Sequence, residues 1–268
     1  MGLNEDWTKD VENTLRQENL LVGQIEQGDF KMLCLENANI IINLMPFRTK
    51  LSPQSLINLQ VEYQSNNKNL LHLWQDVWLT RKQQVLDRLK SLVGLNQRIH
   101  GRSTLTKRIS KNVAETFLES YHLQGSAGGR YHFGLYQKMD LVAVASFSNK
   151  RTMKNRAGVH TSAELVRFAT KGGYTIIGGL SKLIKYYVDL VSPNDLMSYA
   201  DRDWSQGKAY TAAGFQLIEV TPPVRFYLDP VHFQRYSVKQ FESVNVSAGG
   251  FYFEIFNTGN LKYVLDLP

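Results

Sequence analysis

The sequence predicts an α/β (α+β) protein with a small N-terminal α/β domain and a larger C-terminal domain, a mixed sheet flanked by helices. Apolar runs typical of strands alternate with helical patterns along the 268 residues. The length allows two domains, and 43% apolar residues are enough to bury a core in each. Residues 162–215 read as strand, glycine-containing turn, helix and strand, which predicts a βαβ unit.

Composition narrows the class of protein. A formal charge of +7 and a pI near 9.3 fit an anionic partner and a merely basic protein equally well. The single cysteine, Cys34, excludes an intrachain disulfide and argues against a cysteine zinc site and a secretory scaffold. The first residues lack the apolar core of a signal peptide, and no apolar run reaches membrane length. We therefore expect a cytoplasmic protein with no membrane partner.

Residues 1–95 are predicted to form the small α/β domain. Its expected elements are helix 5–22, strand 40–44, helix 53–64 with Ser52 as N-cap, strand 69–74 and helix 75–93 closed by Gly94. The segment 70–95, with its Arg88-Leu89 pair, resembles the closing strand and helix of very-short-patch-repair-like nucleases. Such nucleases hold a metal ion with clustered acidic residues. Glu36, Glu62 and Asp76 are present without an Asp-then-Glu-x-Lys arrangement, so we expect a degenerate nuclease domain with no metal, and a strand-packing role for His72.

Residues 96–111 are predicted to be a basic linker and the first strand of the next domain. Five cations fall within 14 residues there, and the segment 150–160 is also basic. Such clusters can contact phosphates, although a solvated linker explains the first of them as well. The candidate nucleic-acid contacts are Arg98, Arg102, Lys107, Arg108, Lys150, Arg151 and Lys154.

The chain beyond the linker alternates strands and helices again. Its expected elements are strand 105–109, helix 110–121, hairpin 130–147, strand 164–169, helix 180–191, strand 195–200 and a strand pair, 216–220 with 224–228, around Pro222-Pro223. Residues 231–268 are predicted to be an extension that ends in a β-hairpin, 251–256 with 261–267.

Two motifs indicate a family for residues 104–230. The turn reads Gly-Gly-Leu-Ser-Lys-Leu-Ile from residue 178, and Tyr210 lies four residues before Gly214-Phe215. These motifs resemble those of the GNAT acyltransferase superfamily, whose fold holds acetyl-CoA at a splayed strand. Leu180 replaces the family's second turn glycine and Thr175 replaces its usual Gln or Arg, which predicts weaker contacts to the CoA pyrophosphate.

A closer likeness joins both domains. The motifs at 122–125, 164–168, 178–183 and 199–207 resemble those of phage and bacterial proteins that combine a nuclease-like part with a GNAT-like domain. The Mom group of phage DNA-modification proteins is a more distant relative of this kind. The resemblance implies acyl-group chemistry with acetyl-CoA or another acyl-CoA. The residues it implies for the cofactor are Arg167, Ile177, Gly178, Gly179, Leu180, Ser181 and Lys182.

Acyl transfer to an amine needs an acid for the leaving thiolate and a base for the amine proton. By the family pattern Tyr210 is the acid, although a core aromatic is an equal alternative. Asp201 is a base or substrate anchor, or it pairs with a neighbouring arginine. His122 is either catalytic or a helix cap.

Three functions remain open at this point. The leading hypothesis is a GNAT-fold, acyl-CoA-dependent N-acyltransferase that acts on a nucleic acid or a nucleotide. The alternative is a non-catalytic DNA-binding protein that keeps both folds. A metal-dependent nuclease is the least favoured.

Overall fold

The computed structural model describes residues 3–36, 38–153, 160–243 and 251–267, with side chains from residue 7 onward. The helices are α1 (Leu3–Gln17), α2 (Pro53–Ser65), α3 (Gln75–Leu92), α4 (Lys111–Tyr121), α5 (Gly179–Val191), α6 (Lys208–Ala212) and α7 (Val238–Ser243), with a 3-10 turn at Gly101–Ser103. The strands are β1 (Val22–Gln27), β2 (Phe30–Leu35), β3 (Ile40–Met45), β4 (Asn69–Trp74), β5 (Gln97–His100), β6 (Leu105–Arg108), β7 (Tyr131–Gln137), β8 (Asp140–Phe147), β9 (Arg151–Met153), β10 (His160–Thr170), β11 (Tyr174–Ile177), β12 (Asp195–Asp201), β13 (Gln216–Val220), β14 (Arg225–Leu228), β15 (Arg235–Ser237), β16 (Phe253–Phe256) and β17 (Asn260–Asp266).

The chain forms two compact units, and each is built from three separate segments of the sequence. Unit 1 comprises Met1–Lys82, Asp201–Gln206 and Val220–Asn260. Unit 2 comprises Gln83–Ala200, Gly207–Glu219 and Leu261–Pro268. Helix α3 passes from the first unit to the second just after Arg81, whose backbone is not helical (φ −135°, ψ 31°).

Unit 1 is built on a four-stranded sheet in the order β1-β2-β3-β4. The first three strands are antiparallel, and α2 returns the chain so that β4 lies parallel to β3. Ser52 caps α2 in a capping box with Ser55, as its position before Pro53 predicts. The hairpin β1-β2 was not predicted, because its many polar residues hide the alternating burial of β1.

A second sheet in unit 1 has the order β15-β14-β16. The predicted strand pair around Pro222-Pro223 is wrong, since β14 belongs to this sheet whereas β13 lies in the large sheet of unit 2. The predicted C-terminal hairpin is wrong as well, because β16 pairs with β14 and β17 lies between β13 and β12. The turn between β16 and β17 contains Gly259 (φ +89°), where a Cβ would lie 2.1 Å from the Thr221 carbonyl oxygen. The turn therefore packs against the backbone at Thr221 instead of closing a hairpin.

Unit 2 is built on the sheet β13-β17-β12-β10-β8-β7-β6, with β9 paired to β10. Strand β10 is antiparallel to β8 and parallel to β12. The short strand β11 pairs in parallel with β5, so part of the predicted basic linker is a strand.

Helices cover both faces of this sheet. Alternate residues of β8 face opposite ways, and Ala143, Ala145 and Phe147 belong to the core that contains Leu183 and Tyr187 of α5. Val144 belongs instead to the cluster with Ala114, Phe117 and Leu118 of α4. The predicted mixed sheet flanked by helices is therefore confirmed. No helix in the described part of the chain is both long and apolar enough to cross a membrane.

Candidate functional site

The parallel strands β10 and β12 of unit 2 are held together at their first residues. Their register covers three pairs, from Ser162 with Asp195 to Glu164 with Met197. The buried carboxylate of Asp195 lies 2.6 Å from Nε2 of His160 and also accepts a hydrogen bond from the Ser162 hydroxyl. These contacts fix one end of the strand pair.

Beyond these three pairs the two strands separate. A shift in the register between β10 and β8 leaves Val166 as a β-bulge. Ser198 of β12 donates from Oγ to the Leu165 carbonyl at 2.9 Å, so a side chain makes this link between the strands. Both strands are fully described, and β10 continues to Thr170 without further register pairs to β12. We infer from the end of the register pairs that β10 and β12 open apart from the bulge onward.

Tyr210 of α6 reaches this opening. Its hydroxyl oxygen lies 3.1 Å from Ser198 Oγ, the same atom that bonds Leu165. Its ring stacks on Tyr263 with a centroid distance of 5.2 Å. Gly207, immediately before α6, has φ +75°, and a Cβ there would lie 1.7 Å from the Tyr263 hydroxyl. Only glycine therefore permits this placement of the two tyrosines.

The surroundings of Tyr210 keep its hydroxyl protonated. Burial raises the pKa of Tyr210, while Ser198 and the positive charges of Arg167 and Arg88 act in the opposite direction without reversing the shift. A phenol with a raised pKa carries its proton at neutral pH. The two arginines favour the tyrosinate that would form if this proton left.

The glycine turn before α5 presents backbone to solvent. Gly178 is the N-cap in the left-handed conformation (φ +72°), and no side chain caps the helix. Ile177, Gly178 and Ser181 are exposed. The first N–H groups of a helix have no partner within the helix, so this 13-residue helix offers donors and the positive end of its dipole at an accessible turn.

Three further residues predicted to bind the cofactor have structural contacts. A Cβ on Gly179 would lie 2.7 Å from Ile176, so the glycine allows the helix to approach β11 closely. Leu180 is buried in the core. Lys182 donates from Nζ to the carbonyls of Gly101, at 3.0 Å, and Thr104. The lysine thus ties α5 to the 3-10 turn.

The remaining candidates occupy different places. Arg167 follows the bulge and donates from Nη1 to the Val166 carbonyl at 2.9 Å. Asp201 belongs to unit 1 and accepts from the backbone N–H of Asp203 at 3.0 Å. His122 is the C-cap of α4, and its Nδ1 accepts from the Gln124 backbone at 3.1 Å.

The candidate nucleic-acid contacts in the described chain are all exposed residues of unit 2. Arg98 lies on β5, Arg102 on the 3-10 turn, Lys107 and Arg108 on the edge strand β6, and Lys150 and Arg151 at the start of the segment containing β9. Lys150 donates to the Val191 carbonyl at 2.8 Å, and the cations of Lys107 and Arg108 lie over tyrosine rings. Lys154 lies outside the described residues.

Two of the three acidic residues considered for a nuclease, Asp76 and Glu62, are engaged in unit 1. Arg235 binds both oxygens of Asp76, at 2.5 and 2.8 Å, and Glu62 accepts from the Gln27 amide at 3.1 Å. Among the described residues no group of three His, Cys, Asp or Glu side chains is placed to hold a metal ion. His72 is fully buried between β3 and α2, and burial lowers its pKa to about 3.

Sequence reasoning missed Ser198, Tyr263, Arg88 and the bulge at Val166 as parts of the site. Ser198 could have been noticed as a small polar residue inside an apolar strand. The bulge and the stacking partner depend on pairing between distant segments, and no local pattern indicates them.

Comparison with known proteins gives structural likenesses only. No family model matches the chain, and no curated protein matches its sequence. The NatC complex bound to Gag peptide and CoA is similar at 10% identity and a TM-score of 0.36, covering 62% of this chain and 99% of that chain. A GNAT family acetyltransferase from Elizabethkingia anophelis with acetyl-CoA bound gives the same four values.

The ribosomal-protein-S18-alanine N-acetyltransferase from Escherichia coli is 14% identical, with a TM-score of 0.35, and covers 61% of this chain and 93% of that chain. Two of these three structures are named as acetyltransferases, and all three TM-scores are below 0.5. The functional assignment rests on the geometry of the site.

Proposed function

We propose that unit 2 is a GNAT-like N-acyltransferase domain that uses acetyl-CoA or another acyl-CoA. The observation that carries the proposal is the opening between β10 and β12, which starts at the bulge and has the Tyr210 hydroxyl on Ser198 at its edge. A long, narrow cofactor arm can lie between separated strands and pair with their free backbone groups.

The α5 turn fits the phosphates of such a cofactor. Its glycine N-cap has no side chain in the way, and the neighbouring Ser181 is exposed. Backbone donors at a helix N-terminus bind phosphates without a charged side chain. This fit does not need Lys182, whose amine is bonded to the 3-10 turn.

Tyr210 would supply the proton that the reaction needs. An acyl-CoA, when bound, supplies a thioester whose carbon–sulfur bond breaks as an amine nitrogen bonds the acyl carbon. The Tyr210 hydroxyl would hold the proton for the sulfur that leaves, and the charges of Arg167 and Arg88 would stabilise the tyrosinate that remains. Asp201 and His122 were the sequence predictions for the base that takes the proton from the amine, and of the two only His122 belongs to unit 2, so we retain it here.

The acceptor we propose is a nucleic acid or a nucleotide. Exposed arginines of unit 2 support this choice, because Arg98, Arg102 and Arg151 make no ion pair or side-chain hydrogen bond with the described residues. The same surface supports the alternative of a DNA-binding protein without catalysis, in which unit 1 is a degenerate nuclease domain.

Replacement of the tyrosine tests the proposal. Tyr210→Phe removes the proton donor and keeps the ring, so we expect kcat for acyl transfer to fall by about 10²–10⁴-fold with little change in KM for the acyl-CoA. The matched control is Tyr186→Phe on α5, whose exposed hydroxyl makes no hydrogen bond with the described residues. Equal rates for the two variants would contradict the role of Tyr210.

The salt dependence of DNA affinity distinguishes the two proposed functions that involve nucleic acid from functions that do not. If phosphates are bound, DNA affinity should fall steeply as the salt concentration rises. In the double variant Arg98→Gln, Arg102→Gln, the slope of log affinity against log salt concentration should decrease by about one for each lost contact. DNA affinity that does not respond to salt argues against both nucleic-acid versions.

A further inference from the structure

A cavity in unit 1 lies far along the chain from the residues of the acyltransfer proposal. It has a volume of about 320 Å³, at the lower end of the range for small-molecule sites. Its wall comes from three segments, which are α1 with Trp7, the β1-β2 turn and start of β2 with Asp29 and Lys31, and the loop after β3 with Arg48 and Lys50.

The cavity wall is positively charged. Three cations, Lys31, Arg48 and Lys50, meet only one carboxylate, that of Asp29. Within the described residues none of these four charged groups makes an ion pair or a hydrogen bond through its side chain. Elsewhere in the same unit Lys82 pairs with Asp10 at 2.9 Å, so cations of this unit do pair where a partner is placed for them.

Arg48 is held in place by aromatic rings. Its guanidinium carbon lies 5.3 Å from the centroid of Phe253 and 5.9 Å from that of Phe251. A cation on ring faces keeps its N–H donors at the guanidinium edge, where an anion can accept them. The arginine is thus positioned without having its donors consumed.

The rest of the wall is apolar. Leu44, Pro46 and Leu51 line it, together with the side chain of Trp7, which is only 4% exposed. The indole Nε1 of Trp7 is buried and has no hydrogen-bond partner in the described chain. A buried donor without a partner is costly, and a ligand oxygen that reached it after a small shift of the ring would remove that cost.

We propose that this cavity binds a small phosphate-bearing ligand with a flat apolar body, of mononucleotide size. The phosphate lies against Lys31, Arg48 and Lys50, and the body lies against Trp7 and the aliphatic wall. The site goes beyond the proposed acyltransferase, since unit 1 contains it entirely. It also gives unit 1 a binding role that requires no metal ion.

Calorimetry on the full chain tests the site with adenosine monophosphate, adenosine and inorganic phosphate. We expect adenosine monophosphate to bind more tightly than either of its parts, and Arg48→Gln and Lys50→Gln each to weaken it about tenfold or more. Lys239→Gln, on an exposed residue of α7 in the same unit, is the matched control and should change nothing.

The acyltransfer site needs its own control, because CoA also contains an adenosine phosphate. Gly178→Ala alters the α5 turn and should leave binding at the unit 1 cavity unchanged. Circular dichroism confirms that each variant is folded. Absence of binding by all three probes at millimolar concentration, or binding that responds to Gly178→Ala and not to Arg48→Gln, would overturn the proposal.

Discussion

The two units bury polar groups in different ways. In unit 1 both oxygens of Asp76 are bound by Arg235, while Asp203 accepts from Thr258 and from the Trp74 indole. In unit 2 the Tyr210 hydroxyl lies at the edge of an opening, beside a bulge, and the α5 turn is exposed. The contacts of Asp76 and Asp203 are satisfied within unit 1 and stabilise the fold, whereas we propose that the Tyr210 hydroxyl and the α5 turn of unit 2 meet a substrate.

Breaking the contact between Asp76 and Arg235 should have the largest effect on stability. Asp76→Asn leaves the partly buried Arg235 guanidinium without its bidentate carboxylate, so the free energy of unfolding should fall by up to about 3–5 kcal/mol in denaturant titrations. Glu254→Gln removes the exposed pair with Arg225 in the same unit and should cost less than about 1 kcal/mol. Equal losses would show that the buried pair has no special role.

His72 makes the stability of unit 1 sensitive to acid. Burial lowers its pKa from 6.5 to about 3, so between these two pH values the unfolded chain binds up to one proton more than the folded chain. The contribution of His72 to the free energy of unfolding is fully present above pH 6.5. It falls by up to about 1.4 kcal/mol per pH unit as the pH drops toward 3.

The comparison of wild type with His72→Gln isolates this effect. Burial raises the pKa of Asp203, so this residue changes the free energy of unfolding in acid with the opposite sign. Because Asp203 is present in both proteins, its contribution cancels when their free energies of unfolding are subtracted. Denaturant titrations from pH 7 to pH 4.5 should show a shallower acid loss in the variant. The same acid slope in both proteins would exclude His72 as the cause.

Two glycines of unit 2 test the proposed site with a small change in stability. Gly178 and Gly173 both have positive φ, and a Cβ at either would meet nothing within 4 Å. Each Gly→Ala variant should therefore lose about 1–2 kcal/mol through backbone strain alone. Only Gly178→Ala should also weaken acetyl-CoA binding, because only its turn precedes α5. A similar loss of binding in both variants would indicate a general loss of order.

The elements with strong local signals were predicted from the sequence. Ser52-Pro53 indicated the start of α2, and the apolar runs at 40–44 and 69–74 indicated β3 and β4. Gly178 was recognised as a helix start because a glycine turn followed by an apolar helix is a local pattern.

Pairing between distant segments was not predictable in this way. The segment Tyr174–Ile177 was read as part of a turn, and it is a strand because β5 pairs with it. The strands on either side of Gly259 were expected to pair with each other, and each pairs with a strand from elsewhere in the chain. The same limit applies to the site, where Tyr210 was predicted but its neighbours Ser198 and Tyr263 were not.

Amide hydrogen exchange with and without acetyl-CoA tests the central claim most directly, since it reports both binding and its place. We predict added protection at residues 177–182 and 165–168, in the wild type and in Arg48→Gln alike, so that any binding at the unit 1 cavity is kept apart from binding at unit 2. No protection at these residues at saturating acetyl-CoA, in a chain that remains folded, would contradict the assignment of an acyl-CoA site to unit 2.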